Sequence, residues 1–177
     1  MDETAESLQQ KGGVAHVVGP DQGQSWWQPV PANGFAEVRV GPRNVPGIGF
    51  SSGVQHVAPG GYVREHLHPA QEELLFFFEG EGIAVIDGVE HPLVPGTTVY
   101  LGTYRRHKFV NTGTGELKFF WFLMPGGLED FFQQIGRDRT PGEAAPAPFP
   151  RPTDVIEIEK KTVFDHWQGA PDAEPKS

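Results

Sequence analysis

Two histidines separated by one residue, His66 and His68, are the residues of this sequence that point most clearly to chemistry. In a β-strand, residues i and i+2 project from the same face, so both imidazoles would point to one side. Glu73 follows after a Pro-Ala step, where a turn would bring a second strand back beside the first. Two imidazoles and a carboxylate that converge on one point are typical ligands of a transition metal. The stretch 60–80 is therefore a candidate metal motif.

A fourth ligand should come from a later strand, and His107 is the candidate. It lies in a segment that follows Gly96 and ends at Asn111, with strand-like alternation on either side. Glu72 is the alternative to Glu73 as the acidic ligand. Glu73 is favoured because it shares strand parity with the apolar residues two and four positions later.

The spacing of these residues resembles the two sequence motifs of the cupin superfamily. The first motif is a glycine, five residues, His-x-His, three or four residues, Glu, six residues and a glycine. It is matched by Gly60, His66, His68, Glu73 and Gly80. The second motif is matched by Gly96, His107 and Asn111. Gly102 and Tyr104 stand where the family has proline and glycine, which alters the turn before His107 but not the ligand.

This resemblance implies an all-β protein, a single jelly-roll (cupin) β-barrel with one or two short C-terminal helices. It also implies one divalent transition metal ion inside the barrel, which would be Fe, Mn, Ni, Cu or Zn. The ligands that it implies are His66, His68, Glu73 and His107. Glu73 is also the candidate catalytic residue, since it could remain a ligand or detach and act as a base.

Short alternating segments separated by glycine-rich turns are typical of an all-β barrel or sandwich. They place the barrel core at about 35–124, within a single domain that spans 13–165. A helix and an extended arm are expected over 125–165. Flexible tails are expected at 1–12 and 166–177, where the sequence is polar and charged.

Two segments after the barrel have a helical pattern. The stretch 128–135 has helical spacing of its apolar residues and stops at Gly136. Asp154 and Glu157 have the spacing of a capping box for a second short helix through about Thr162. The apolar residues of 155–158 fit a strand equally well.

Strand parity with the metal ligands predicts which side chains share the cavity. On the last strand, Phe119, Trp121 and Leu123 or the alternate set at 120 and 122 would face inward. The interior would be apolar and aromatic, as in small-molecule sites. His56 is expected to be a barrel-lining or surface residue, and Asn111 a turn residue that bonds backbone. The candidate pocket residues are Tyr62, Arg64, Leu75, Phe77, Tyr100, Phe109 and Trp121.

Composition excludes several classes of protein. Fourteen basic and 23 acidic residues give a net charge of −9, which argues against nucleic acid or an anionic membrane as a partner. The sequence has no cysteine, so any metal must be held by nitrogen and oxygen. No apolar run has the length of a membrane span, and the polar N-terminus does not fit a signal peptide, so we expect a cytoplasmic protein. Small cupins are often dimers, and we expect a homodimer.

The sequence is therefore interpreted as a metal-dependent enzyme that acts on a small aromatic or enolisable substrate. A dioxygenase is favoured, because three His and one Glu leave positions for a bidentate substrate and O₂. The first alternative is an isomerase, lyase, decarboxylase or polyketide cyclase that uses the metal as a Lewis acid without O₂. The second alternative is a cupin that binds a small molecule without turnover.

Overall fold

The structure, a computed structural model, describes residues 13–164. The tails expected at 1–12 and 166–177 lie outside the described residues. The described residues form eleven strands and two short helices. The strands are β1 Gln24–Trp27, β2 Phe35–Val40, β3 Ser51–Val57, β4 Tyr62–His66, β5 Glu72–Glu79, β6 Gly82–Ile86, β7 Val89–Leu93, β8 Thr98–Leu101, β9 His107–Asn111, β10 Leu117–Met124 and β11 Arg137–Asp138. The helices are α1 Leu128–Ile135 and α2 Val155–Lys161.

The strands form two antiparallel sheets that face each other. The larger sheet has the order β11-β1-β2-β3-β10-β5-β8, and the smaller sheet has the order β4-β9-β6-β7. The prediction of an all-β jelly roll with one or two short C-terminal helices is confirmed. Both helices follow the last long strand, and they contact each other.

Alternation of side chains on β5 and β10 separates an inner from an outer face. On β5, Leu75 and Phe77 are fully buried between the sheets, whereas Leu74 and Phe76 are more than two-fifths exposed. On β10 the set that includes Trp121 faces inward, which decides between the two parities left open by the sequence. Alternate side chains of one strand thus pack in the core on one side and form a largely apolar outer face on the other.

Two glycine positions fix the local shape of the barrel. Asp87 and Gly88 join β6 to β7 with φ values of 48° and 84°, as a two-residue type I′ hairpin turn requires. In β3, a Cβ on Gly53 would lie 2.7 Å from Cζ2 of Trp121 and 1.8 Å from the carbonyl oxygen of Glu37. Gly53 therefore allows the Trp121 ring to lie against the inner face of the sheet.

Several elements differ from the sequence-based expectations. β1 was not predicted, because its four residues are too few to show a period. The first strand of the metal motif ends at His66, so His68 lies beyond the strand on which the parity prediction placed it. The segment after Asp154 is helical, but the Asp154 side chain makes no capping hydrogen bond, so the capping box is not formed.

Candidate metal centre

Three strands bring four ligand side chains to one point. His66 ends β4, His68 follows it, Glu73 is the second residue of β5 and His107 begins β9. The antiparallel register pairs His66 with His107 directly. One ligand atom from each of the four residues lies within 4.8 Å of the others. Glu72 points to the outer face, so Glu73 is the acidic residue in this group.

The group is compact and almost inaccessible to solvent. Glu73 Oε2 lies 3.2 Å from His107 Nε2 and 3.7 Å from His68 Nε2. The ring centroids of His66 and His107 are 4.0 Å apart. His68, Glu73 and His107 are each at most 5% exposed. Ionisable atoms buried this closely require either hydrogen bonds or a bound ion.

Backbone carbonyls orient all three imidazoles. Nδ1 of His66 lies 2.7 Å from the carbonyl oxygen of Arg64, and Nδ1 of His107 lies 2.9 Å from that of Arg105. Nδ1 of His68 lies 2.8 Å from the carbonyl oxygen of Val163, which follows α2. Since a carbonyl only accepts, each Nδ1 is the donor, and the lone pair of each neutral ring is then on Nε2.

The converging atoms fit a divalent transition metal. Nε2 of His68, Nε2 of His107 and Oε2 of Glu73 are buried and form no hydrogen bond within residues 13–164. A cation held by nitrogen and oxygen donors would satisfy all of these atoms. The donor set suits iron, manganese, nickel, copper and zinc alike, so it does not choose among them.

Electrostatics favour the protonation states that a metal requires. Burial alone would raise the pKa of Glu73, but hydrogen bonds and charge from His107 and His68, when these rings are protonated, hold it well below its usual value. With neutral rings, a bound cation would take the place of that positive charge. Burial, together with the neighbouring His107 and His68, lowers the pKa of His66 well below its usual value. A carboxylate and a neutral imidazole are therefore present at neutral pH, as metal ligation requires.

A cavity of about 670 Å³ opens beside this group and reaches His66 and Glu73. Its volume lies in the range of small-molecule sites. Aromatic side chains from both sheets, from α1 and from the segment after α2 form much of its wall: Phe109, Phe119, Trp121, Phe131, Phe132 and Phe164.

The structure brings four of the seven candidate pocket residues to this cavity, namely Tyr62, Arg64, Phe109 and Trp121. Leu75 and Phe77 do not line it, because they are buried between the sheets as core residues.

The placement of Tyr100 in the pocket is wrong. It pairs with Leu74 and shares its outer face, so its side chain is 63% exposed and lies beside Glu72. Parity within one strand does not carry over to another strand unless the register between them is known.

The segment that follows β11 contributes residues that the sequence did not assign to the site. Phe164 lies against His66 and His68, with ring centroids 5.1 Å and 5.0 Å away. Glu159 of α2 forms an ion pair with Arg151, and its Oε1 lies 3.5 Å from Nη1 of Arg64. Residues 151–164 thus cover one side of the cavity. The helical spacing of 128–135 was a signal for part of this wall, but nothing local marked 151–164.

Two polar residues near the motifs have structural roles, as expected. His56 stacks on Phe35 with centroids 3.7 Å apart and does not join the ligand group. Asn111 is 2% exposed, and its amide donates to the carbonyl oxygens of Val57, Ala58 and Gly115.

Comparison with known proteins agrees with the fold and the ligand group. The family model described as a cupin domain matches residues 53–123, which include all four ligand candidates. The chain belongs to the cupin superfamily.

Among curated proteins, the chain is 34% identical to protein SchB of Streptomyces halstedii over 95 residues, 54% of this chain and 68% of that protein. It is 32% identical to polyketide synthase CurC of Streptomyces cyaneus over 81 residues, 44% of this chain. The matched region spans about half, 53%, of CurC.

Solved structures share the fold at low sequence identity. The polyketide cyclase RemF from Streptomyces resistomycificus superposes with a TM-score of 0.55 and 17% identity, covering 63% of this chain and 80% of RemF. A sugar phosphate isomerase from Silicibacter pomeroyi superposes with a TM-score of 0.53 and 21% identity, covering 62% of this chain and 75% of the isomerase. Within residues 13–164, no helix has the length and apolar character needed to cross a membrane.

Proposed function

We propose that the protein is a metal-dependent enzyme that catalyses proton shifts and ring closure in an enolisable polycarbonyl substrate, without consuming O₂. The observation that carries this proposal is the cavity of about 670 Å³, which has aromatic walls and reaches His66 and Glu73. Such a space suits a folded carbon chain or a fused-ring product. The relationship to polyketide synthase CurC supports a substrate of this class.

The ligand residues have separate tasks in this proposal. A bound divalent ion would act as a Lewis acid that stabilises negative charge on a substrate oxygen. His66, His68 and His107 would hold the ion through Nε2, since their Nδ1 atoms face backbone carbonyls. Glu73 supplies the negative ligand. Its depressed pKa makes Glu73 a better ligand than base.

The cavity wall determines what can reach the metal group. Phe109, Trp121 and Phe131 present apolar surface that excludes water and favours a compact arrangement of the substrate. Arg64 lines the same cavity, and its guanidinium lies near an acidic partner, Glu159. Because Arg64 stays positively charged, it would attract an enolate or phenolate oxygen that enters beside α2.

A dioxygenase is the second candidate, and the donor set is compatible with it. Three imidazoles and one carboxylate can hold a redox-active ion and leave positions for a bidentate substrate and O₂. The same cavity would accept an aromatic diketone or a catechol-like substrate.

Oxygen consumption separates the two candidates. Purified protein, loaded in turn with Zn²⁺, Mn²⁺, Ni²⁺ and Fe²⁺, is incubated with a panel of aromatic β-diketones and linear polyketones, with and without air. We expect isomeric or dehydrated products at equal rates in both atmospheres. Stoichiometric uptake of O₂ would instead assign the protein to the dioxygenase class.

Two variants connect turnover to the ligand group. His66→Ala should lose stoichiometric metal and turnover, whereas His91→Ala, at an exposed position of β7, should keep both. Glu73→Gln preserves the shape of the side chain but removes its charge. Lost metal in Glu73→Gln identifies a ligand role, and retained metal with lost turnover identifies a base.

A further inference from the structure

Gln55 is a nearly buried polar residue in the cavity wall whose side chain has no partner within the described chain. It lies on the inner face of β3, is 8% exposed, and lines the cavity that reaches the metal group. Its side-chain amide forms no hydrogen bond to any of residues 13–164. Its Oε1 and Nε2 are not among the fully buried unpartnered atoms, so the amide is open to the cavity. A ligand in the cavity could therefore form hydrogen bonds with it.

The position of Gln55 in the sheet is remote from the metal group. Glu73 of β5 pairs with Leu123 of β10, whereas Gln55 of β3 pairs with Phe119 of the same strand. These two β10 residues are four apart, which corresponds to ~13 Å along the strand. The strands β3 and β5 flank β10, which adds ~10 Å across the sheet. Metal group and amide thus mark two separated ends of one cavity.

The wall between these ends is mainly aromatic, and the buried Nε1–H of Trp121 within it has no hydrogen-bond partner in residues 13–164. Trp121 lies between them on the inner face of β10, opposite Gly53, and its ring packs on Phe132 with centroids 5.7 Å apart. An aromatic wall with a polar group at each end is complementary to a long, flat molecule that carries oxygen at both ends.

We propose that Gln55 is a specificity-determining residue that binds an oxygen function at the end of the substrate opposite to the metal. Its Nε2–H donates to a carbonyl oxygen and its Oε1 accepts from a hydroxyl group. The substrate class is therefore an elongated, polyoxygenated molecule, such as three fused rings or the folded chain that precedes them. This inference rests on the proposed function and adds to it the recognition of the distal end.

Binding of two coloured probes to the zinc-loaded protein tests the assignment without turnover. The probes are 1,2-dihydroxyanthraquinone and 1,2,6-trihydroxyanthraquinone, which share the metal-binding oxygens and differ by one hydroxyl group at the distal ring. Absorbance titration gives both dissociation constants. For the unsubstituted protein we expect the trihydroxy probe to bind about 5- to 10-fold more tightly, the gain from one hydrogen bond.

Substitutions at Gln55 then show which atom is responsible. Gln55→Met has a similar length but no hydrogen-bonding group, and it should bind both probes equally. Gln55→Glu keeps an acceptor for the distal hydroxyl group, and it should retain the preference. Gln134→Leu, on the exposed face of α1, is the control and should behave as the unsubstituted protein.

The outcomes distinguish this inference from the proposed function. A trihydroxy preference that survives in Gln55→Met would overturn the role of Gln55 and leave the proposed function standing. Failure of the zinc-loaded protein to bind either probe would overturn both, because an oxygenated fused-ring ligand would then have no site. Thermal denaturation of each variant with bound zinc identifies any variant whose fold is lost, and Gln55→Leu, which should also bind both probes equally, then carries the test in place of Gln55→Met.

Discussion

The contact between His68 and Val163 predicts that metal affinity depends on residues 151–164, far from the motif in sequence. Nδ1 of His68 lies 2.8 Å from the carbonyl oxygen of Val163, and Phe164 packs on the same ring. A chain that ends at residue 150 loses both contacts, so His68 can rotate and change tautomer. Loss of such an orienting partner typically weakens metal binding by about 10- to 100-fold.

The same truncation removes apolar burial. Ile158 and Val163 are 8% and 4% exposed, and burial of such side chains contributes about 1.5–3 kcal/mol each. The free energy of unfolding of the truncated chain should therefore be lower by about 3–6 kcal/mol. The metal assay must be run at a temperature at which circular dichroism shows the truncated chain to be folded. A chain that ends at residue 168 retains 151–164 and is the matched control.

Competition with a chromophoric chelator measures the zinc dissociation constant of both chains. We expect the chain that ends at residue 150 to bind about 10- to 100-fold more weakly than the control. A double variant, Val163→Gly with Phe164→Gly, loosens the contact without removing α2 and should lie between the two. Equal zinc affinity in the control, the double variant and the truncated chain would refute the coupling of this segment to the metal group.

Three further predictions concern the rest of the fold. Asn111→Asp replaces an amide that donates to three carbonyls with a buried charge, and it should lower the free energy of unfolding by at least about 3 kcal/mol. Asn44→Asp, at an exposed turn, is the control and should lower it by less than about 1 kcal/mol. Urea denaturation measures both values. We expect the homodimer to form through the largely apolar outer face of β5, where Phe76 is exposed. Phe76→Lys should then give a monomer in light scattering, and a monomer before substitution would contradict this expectation. Burial lowers the pKa of His56 despite Glu116, so the unfolded chain binds a proton more readily, and the free energy of unfolding should fall as pH drops below about 6.5. Denaturation of the metal-free protein at pH 7.5 and pH 5.5 measures this fall, which should be smaller in the His56→Gln variant. Equal falls in both proteins would speak against this role of His56.

The sequence was sufficient for the ligand group because its geometry is local. His66 and His68 share a face through strand alternation, and Glu73 returns on the adjoining segment, so spacing alone brings them together. His107 was a candidate from its strand pattern, and the family resemblance implied that it is a ligand; its register with His66 is a long-range property that the structure supplies. The barrel strands were predictable for the same reason as the first two histidines.

The cavity was less predictable because its wall comes from packing between distant elements. Tyr100 was misplaced since parity on β8 depends on its register with β5. Gln55 lies on a strand before the motifs, and no spacing rule connects it to the metal. The segment after α2 carries no motif, and its role is visible only in the contact of Val163 with His68.

The partnership of His68 with Val163 also has a consequence for the order of events during synthesis. All four ligand candidates leave the ribosome at least 56 residues before Val163 does, since His107 is the last of them. The nascent chain can thus assemble the barrel and capture an ion loosely before the final carbonyl arrives. Tight retention would begin only when 151–164 docks, so the metal would act as a reporter of completed folding. In a cell, a chain released from the ribosome before 151–164 docks would lose its ion to the surrounding solution.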